Sequence, residues 1–504
     1  MQRLLSDKMV NLPILLLLGG AFMAIGSYFL ASWLMRPVGD DYGSLLAYHI
    51  NASWLSALPD ALAHGGGRYA QTIVSVIWYG EFGQKGLRLT GFVSVALFLL
   101  AAHLALVAWQ KVRGQAINYK SAAVGSTLLF LFYSLLSVVF PWVRGHIDNT
   151  FQNFLWLPGL ITYTLPFELL AILISSIIIC RDKISQNWRW LLLVAGLSVF
   201  IGTFSELVPV IFTELLAVIA LYCLVRLRFN VKKSLDLLKA NLPFVIVEVG
   251  LVFGVLLNYL SPGTRARRAI FEDHATITDL ITHSVTASRQ YVSLHILSHE
   301  NLPAVFFTVL GGIAIGFAAF KLFKLTKFIQ IAKASLGLTG LFAIMTALSI
   351  FSCFMLAYKG YGLNPYTYMM PRFEIAYNVW LSLLLVFVGV ALAALTAYIA
   401  TAQKLKNLLP IIYLVLTLVI FVATPFVLRE TANRIQSVAV FSSEWSNQDA
   451  ELREDASEHV KSAEVPVIDI GDAYNIRCEA GDNWLGDVKE EFYKVPKICD
   501  EAAQ

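Results

Sequence analysis

Residues 11–33 read NLPILLLLGGAFMAIGSYFLASW, and residues 36–71 follow almost at once as RPVGDDYGSLLAYHINASWLSALPDALAHGGGRYAQ. The first stretch carries no charge and is long enough to cross a bilayer, which takes roughly 20 apolar residues. No small-x-small cleavage site is followed by a polar start, so it reads as a retained span rather than a signal peptide. The second stretch opens a loop, 36–88, that is too long for a simple connector. It begins with the adjacent carboxylates Asp40 and Asp41 and reaches a glycine triplet, Gly65–Gly67, followed by Arg68. Between them Tyr42, Tyr48, Trp54 and Leu58 are spaced for a helix lying along a membrane surface. Tyr69–Gly80 is apolar but too short to span, and suits a re-entrant or interfacial helix.

The rest of the chain repeats the first motif. Of its 504 residues 57% are hydrophobic and 14% charged, against about 25% charged in a soluble domain. Eleven spans are predicted: Val10–Leu34, Leu89–Gln110, Ala122–Val139, Pro158–Cys180, Trp190–Ser205, Leu207–Val225, Leu242–Leu260, Ala304–Leu322, Leu336–Ala357, Ala376–Ala400 and Leu408–Val427. Trp190–Val225 holds two of them only if a tight turn intervenes, and Gly202, Ser205, Glu206 and Pro209 are the breakers. The connection Ser261–Pro303 contains TDLITHSVTASRQYVSLHIL, whose spacing predicts an interfacial helix. From Arg429 the composition turns polar, which divides the chain into a membrane part, 1–428, and a small C-terminal part, 429–504, with a helix and a strand at Val465–Ile470. The fold class is an all-α polytopic membrane protein.

Alternating eleven spans gathers Lys8, Lys111, Lys120, Lys183, Lys232, Lys233, Lys321, Lys404 and their neighbours on one side. The positive-inside rule makes that side cytoplasmic, with the N-terminus inside and the C-terminus outside. The opposite side has few lysines but keeps Arg36, Arg68, Arg88, Arg144, Arg265, Arg267, Arg268, Arg289 and Arg372. A guanidinium grips phosphate with two parallel hydrogen bonds where an ammonium offers a point charge, so this set points to an anionic ligand, beside the plainer role of anchoring to headgroups.

Several short stretches on the outer side carry chemistry. The pair Asp40-Asp41, just past the first span, offers a base and a second carboxylate to orient it or to bind a divalent cation; a helix cap is the structural alternative. Gly65–Arg68 exposes backbone N–H groups and a cation, as phosphate cradles do and as flexible turns also do. Glu206, in GTFSELVP, is an ionisable group in an apolar run. SPGTRARR, 261–268, places Arg265, Arg267 and Arg268 after a Pro-Gly turn. Arg372 follows in NPYTYMMPRFE, a stretch whose aromatics also suit a membrane belt. His146 and Asp148 are an i,i+2 pair too sparse to assign a metal, and no cysteine has metal spacing. Cys478 and Cys499 in the outer tail are expected to form a disulfide.

GDDY, GGGRYAQ, FQNFLWLP, GTFSE, LNYLSPGTRAR and MMPRFE, in this order and covering most of the chain, resemble a bacterial family of polytopic glucosyltransferase-like proteins that includes relatives of O-antigen-modifying enzymes. Paired acids in the first outer loop are the hallmark of the wider GT-C class, and the tail EWSNQDAELRE is similar as well. The chain departs from the family pattern at Thr264, where Asn is expected. The resemblance implies a GT-C-like fold in a bacterial inner membrane. It implies inverting transfer of a hexose, glucose in the first instance, from a polyprenyl-phosphate donor to an outer-face glycan, without a nucleotide sugar. No nucleic-acid partner and no cofactor are expected, with a divalent metal left open and unassigned. On that reading Asp40 or Asp41 is the base and Glu206 orients base or acceptor. Tyr42, Arg68, Arg265, Arg267, Arg268 and Arg372 then hold substrate. The competing class is a flippase or transporter of lipid-linked sugars, which would place charged groups near the bilayer midplane.

Overall fold

The computed structural model describes residues 7–38, 40–50, 53–64, 67–137, 154–185, 187–228, 230–265, 276–296, 302–322, 327–361, 373–402, 408–460, 463–465, 484–495 and 498–500. The described chain is almost wholly helical. Helix α1 is Asp7–Trp33, and the loop after it folds as α2 Asp40–Leu45, a π-helical turn Leu46–Ile50, α3 Trp54–His64 and α4 Tyr69–Leu87. Next come α5 Thr90–Val112, α6 Tyr119–Ser137, α7 Leu157–Gly159 continuing through a π turn into α8 Leu165–Ile179, α9 Arg181–Ser185, α10 Trp188–Gly202 and α11 Leu207–Arg226. They are followed by α12 Val231–Ala240, α13 Leu242–Leu260, α14 Ile277–Tyr291, α15 Leu302–Leu322, α16 Phe328–Tyr361, α17 Glu374–Ala402 and α18 Leu408–Ser457. The end of the chain holds β1 Ala463–Val465, α19 Trp484–Tyr493 and β2 Ile498–Asp500, the two strands pairing in parallel.

Ten of these helices are long and apolar enough to cross a membrane, and α10, with 15 residues, is an apolar eleventh. The eleven expected spans all fall on these helices. Large apolar side chains such as Phe22, Leu192, Leu221, Phe253 and Val422 stand exposed around them, as lipid-facing positions do in a polytopic membrane protein. The expected turn between α10 and α11 is present: α10 stops at Gly202, and Thr203–Glu206 connect it to α11. Packing there is tight, since a Cβ on Gly202 would overlap the backbone of Leu251 in α13. Such small-residue contacts replace the hydrophobic effect as the glue between helices in lipid.

The inner surfaces of α1, α5 and α6 meet in an aromatic cluster of Tyr28, Phe98, Phe130 and Tyr133, closed by Phe154. The interfacial helix expected after residue 261 is α14, started by a capping box between Thr276 and Asp279. It packs on α16 and α17 through Leu280, Ala287 and Tyr291, the Tyr291 hydroxyl meeting that of Tyr377 at 2.6 Å.

The first loop is helical, as its spacing predicts, but in three separate pieces. The second part of the chain also differs in outline from its composition. The polar shift at Arg429 falls inside α18, a single helix of 50 residues. At 1.5 Å per residue it is about 75 Å long, more than twice a hydrocarbon core of about 30 Å. Its far half therefore projects beyond the bilayer at the lysine-poor end, where Val438, Phe441, Trp445 and Leu452 belong to the same core as the first loop. The strand lies at Ala463–Val465, overlapping the start of the expected range, and 466–470 are outside the described residues.

Candidate functional site

The acid pair starts α2, and its two members have different surroundings. The Asp41 amide donates to the Val38 carbonyl at 2.9 Å, while the Val38 amide donates back to Asp41 Oδ2 at 2.8 Å. The carboxylate bond is the half of a capping box that reaches back to the chain before the helix; Val38 has no side-chain acceptor to supply the other half. Asp41 Oδ1 accepts the Tyr79 hydroxyl of α4. The side chain is 0% exposed. Burial pushes its pKa up to about 7, outweighing the Tyr79 and Val38 hydrogen bonds that favour the anion; nearby Asp40 adds to the rise. Asp40, one residue earlier and turned by a helical step, is exposed.

Tyr42 is buried completely. Its hydroxyl accepts the Trp445 indole N–H at 2.6 Å, its ring meets Phe492 edge-on at 5.3 Å, and the Lys489 ammonium lies 5.4 Å from its centroid. Trp445 carries the Arg36 guanidinium on its ring, at 5.9 Å. The described contacts of Tyr42 therefore tie the acid-bearing loop to α18 and α19, and these elements hold α2 in place.

A second group of motifs meets at the other end of α4. Arg68 forms an ion pair with Glu206 at 3.3 Å, with 18% and 39% of the two side chains exposed. The Tyr69 amide, at the start of α4, donates to Asn258 Oδ1 of α13 at 3.4 Å. Gly67 adopts φ +80°, and a Cβ there would overlap the hydroxyls of Thr264 and Ser261. Ser261 organises the opposing turn: its hydroxyl donates to the Asn258 carbonyl at 2.7 Å, accepts from the Thr264 amide at 3.2 Å and lies 3.0 Å from the Thr264 hydroxyl. Thus Gly67-Arg68, GTFSE and SPGTR, far apart in sequence, are in one place. Two buried polar atoms there, Ser205 Oγ and Asn258 Nδ2, have no hydrogen-bond partner among the described residues. Arg265 is exposed one residue beyond Thr264.

Helix α4 joins the two groups. Tyr69 touches the arginine end and Tyr79 the acid end, ten residues or about 15 Å of helix apart. Arg267, Arg268 and Arg372 lie outside the described residues, as do Arg144, His146, Asp148 and Cys478. Among the described residues no three His, Cys, Asp or Glu side chains form a metal-binding group.

Other polar groups were not singled out from the sequence. Glu168 of α8 is 3% exposed beside Ser94 of α5, and neither carboxyl oxygen has a hydrogen bond among the described residues. Glu214 of α11 accepts the Ser352 hydroxyl, and Glu248 of α13 accepts that of Thr213 at 2.5 Å. All three lie within candidate spans. A single acid within an apolar run was the signal available, in PFELL, FTELL and VEVGL. His49, in the first loop, is the fourth, and only the fold reveals its partners. No family model, curated protein or solved structure matches the chain.

Proposed function

We propose that this protein is a membrane glycosyltransferase of GT-C type. It moves a hexose from a polyprenyl phosphate to a glycan at the lysine-poor, extracytoplasmic face of a bacterial inner membrane. The observation that carries the reading is the meeting of Arg68, Glu206, Asn258 and the Ser261–Arg265 turn at one end of α4, with the acid pair at the other. Phosphate is the leaving group and departs with extra negative charge, which fixed guanidinium groups and unpaired donors stabilise. Arg68 and Arg265, joined by Arg267, Arg268 and Arg372, supply that grip. Glu206 positions Arg68.

The base must reach the acceptor hydroxyl. Asp40 is the better placed of the pair because it is exposed, whereas both oxygens of Asp41 are engaged inside the protein. Asp41 then holds α2 against α4, and Tyr42 holds it against α18. The test is transfer from radiolabelled polyprenyl-phosphate glucose to cell-envelope glycan by the purified protein. Asp40→Asn keeps the side-chain shape and is expected to lower turnover about 100-fold, the scale of losing a positioned base. Undiminished transfer by Asp40→Asn would remove the base from this position, and no transfer by the wild type would remove the reading.

A flippase or transporter of lipid-linked sugar is a second reading, favoured by Glu168, Glu214 and Glu248 within the spans, where ionisable groups often line translocation paths. Liposomes holding a fluorescent polyprenyl-phosphate hexose separate the two. Leaflet exchange that disappears on changing the three glutamates to Gln supports translocation, and exchange equal to that of empty liposomes rejects it.

A further inference from the structure

A cavity of about 480 Å³ opens where the first loop, the last part of α4 and the projecting helices α18 and α19 come together. It is separate from the arginine group and adjoins the acid pair. Leu45, which lines it, is one helical turn after Asp41, and Glu81, also lining it, is two residues after Tyr79. Its volume is in the ordinary range for small-molecule sites, about 300–1,000 Å³.

The cavity forms at a break in α4. Gly83 has φ +50° and ψ −142°, values that interrupt the helix, and a Cβ there would come within 2.8 Å of His49 Nε2. One turn earlier, the Gly80 carbonyl lies 3.0 Å from His49 Nδ1. A carbonyl can only accept, so the Nδ1 nitrogen carries the proton and the neutral ring keeps its lone pair on Nε2. The fold thereby fixes the tautomer of a histidine that lines the cavity.

The chemistry of the wall is mixed. Glu81 and His49 Nε2 accept hydrogen bonds, Lys85 and Arg453 donate them, and the Gln84 amide does both. The charges nearly cancel. Glu81 opposes Lys85, and the Arg453 guanidinium already has a two-point pair with Asp449, at 2.9 and 3.0 Å. An anion site would present donors and net positive charge, as the Arg68 end does. Alternating donors and acceptors without net charge match a polyol, each hydroxyl of which both gives and takes a hydrogen bond. Phe82, 47% exposed, and Phe492 add apolar surface for the C–H face of a pyranose ring.

We propose that this cavity binds a neutral hexose unit of the acceptor glycan and delivers its hydroxyl toward Asp40. This rests on the glycosyl-transfer reading for the word acceptor, but the sugar site itself does not depend on it. The test therefore has a binding arm and a transfer arm. In the first, protein in nanodiscs is mixed with methyl α-D-glucoside, methyl α-D-galactoside or methyl α-L-rhamnoside, and saturation-transfer NMR reads contact with the ring C–H protons. At least one glycoside is expected to receive saturation in the wild type, with loss of most of it in Glu81→Ala and Phe82→Ala, both at exposed positions that leave the fold intact. Arg68→Ala should not change it, and inorganic phosphate should not compete. Absence of saturation for all three glycosides, equal saturation in the two cavity variants, or displacement by phosphate would each overturn the sugar site. In the transfer arm, Glu81→Ala is expected to raise the KM for glycan about tenfold with the donor KM unchanged, and an unchanged glycan KM would overturn the acceptor role. Glycoside binding by a wild type that transfers no hexose leaves the sugar site standing and overturns the transferase reading instead.

Discussion

At Asp41 two hydrogen-bond donors favour the carboxylate while complete burial opposes it, and burial wins, bringing the pKa to about 7 from an ordinary 3.8. Between those values the folded protein binds a proton at this site that the unfolded chain does not. Linkage then makes stability fall as pH rises. The contribution of Asp41 is fully present below about pH 4 and is lost as pH rises through 7. Asp41→Asn removes the titration, so the Tm measured in detergent should become flatter between pH 4 and 7 than that of the wild type. An equal slope in both proteins would show that Asp41 is ionised throughout. None of this was legible in the letters DDY. The pair marked the loop, but its division into one exposed and one enclosed acid depends on Tyr79, which a helix 38 residues later brings to Asp41. In the same way nothing local to Tyr42 points to Trp445, 403 residues away.

Among the elements, the spans and the α10–α11 turn were legible because their signals are local. Hydropathy marks each helix, and Gly202 and Pro209 mark the break. The continuation of α18 was not, because polarity changes at Arg429 while helix propensity does not, and composition reports only the first. The glycine triplet was ambiguous between cradle and flexible turn, and the fold makes Gly67 a packing position. Its pair partners matter less than its missing side chain. A half-exposed ion pair such as Arg68–Glu206 contributes about 1 kcal/mol or less, whereas a residue forced into a left-handed conformation against a filled neighbour costs about 1–3 kcal/mol for the backbone alone. Gly67→Ala is therefore expected to lower Tm more than Arg68→Ala, and also to raise the donor KM by moving the whole turn off Ser261. A smaller Tm loss for Gly67→Ala than for Arg68→Ala would show that the turn is loose and the ion pair holds it.

For the whole molecule, the two ends of the helical bundle differ in chemistry. At one end Lys111 donates to the Ile179 carbonyl and Arg181 to that of Ala240, and the short loops carry most of the lysines. At the other end lie the acid pair, the Arg68–Glu206 group, the neutral cavity and the projecting half of α18. The positive-inside rule predicts that the lysine end is cytoplasmic, and every candidate site would then face the opposite side, as the proposed transfer from a lipid-linked sugar to envelope glycan requires. The assignment is checked by fusing a phosphatase that is active only outside the cytoplasm, either after Gln504 or, in a truncated chain, after Lys232. Activity is expected from the first fusion and none from the second. The reverse pattern would place α18 and the cavity in the cytoplasm, among nucleotide sugars rather than polyprenyl-phosphate sugars. The proposed anion site at the arginine group would be unaffected, but a glycan acceptor would be out of its reach. Phosphatase activity from both fusions would mean an even number of crossings between Lys232 and the C-terminus, contrary to the five made by α13, α15, α16, α17 and α18 with α14 at the interface. Those five apolar helices after Lys232 require the two reporters to lie on opposite sides, so the fusions test the count of crossings and their direction together; equal activity of the two breaks the count, and inverted activity breaks the direction.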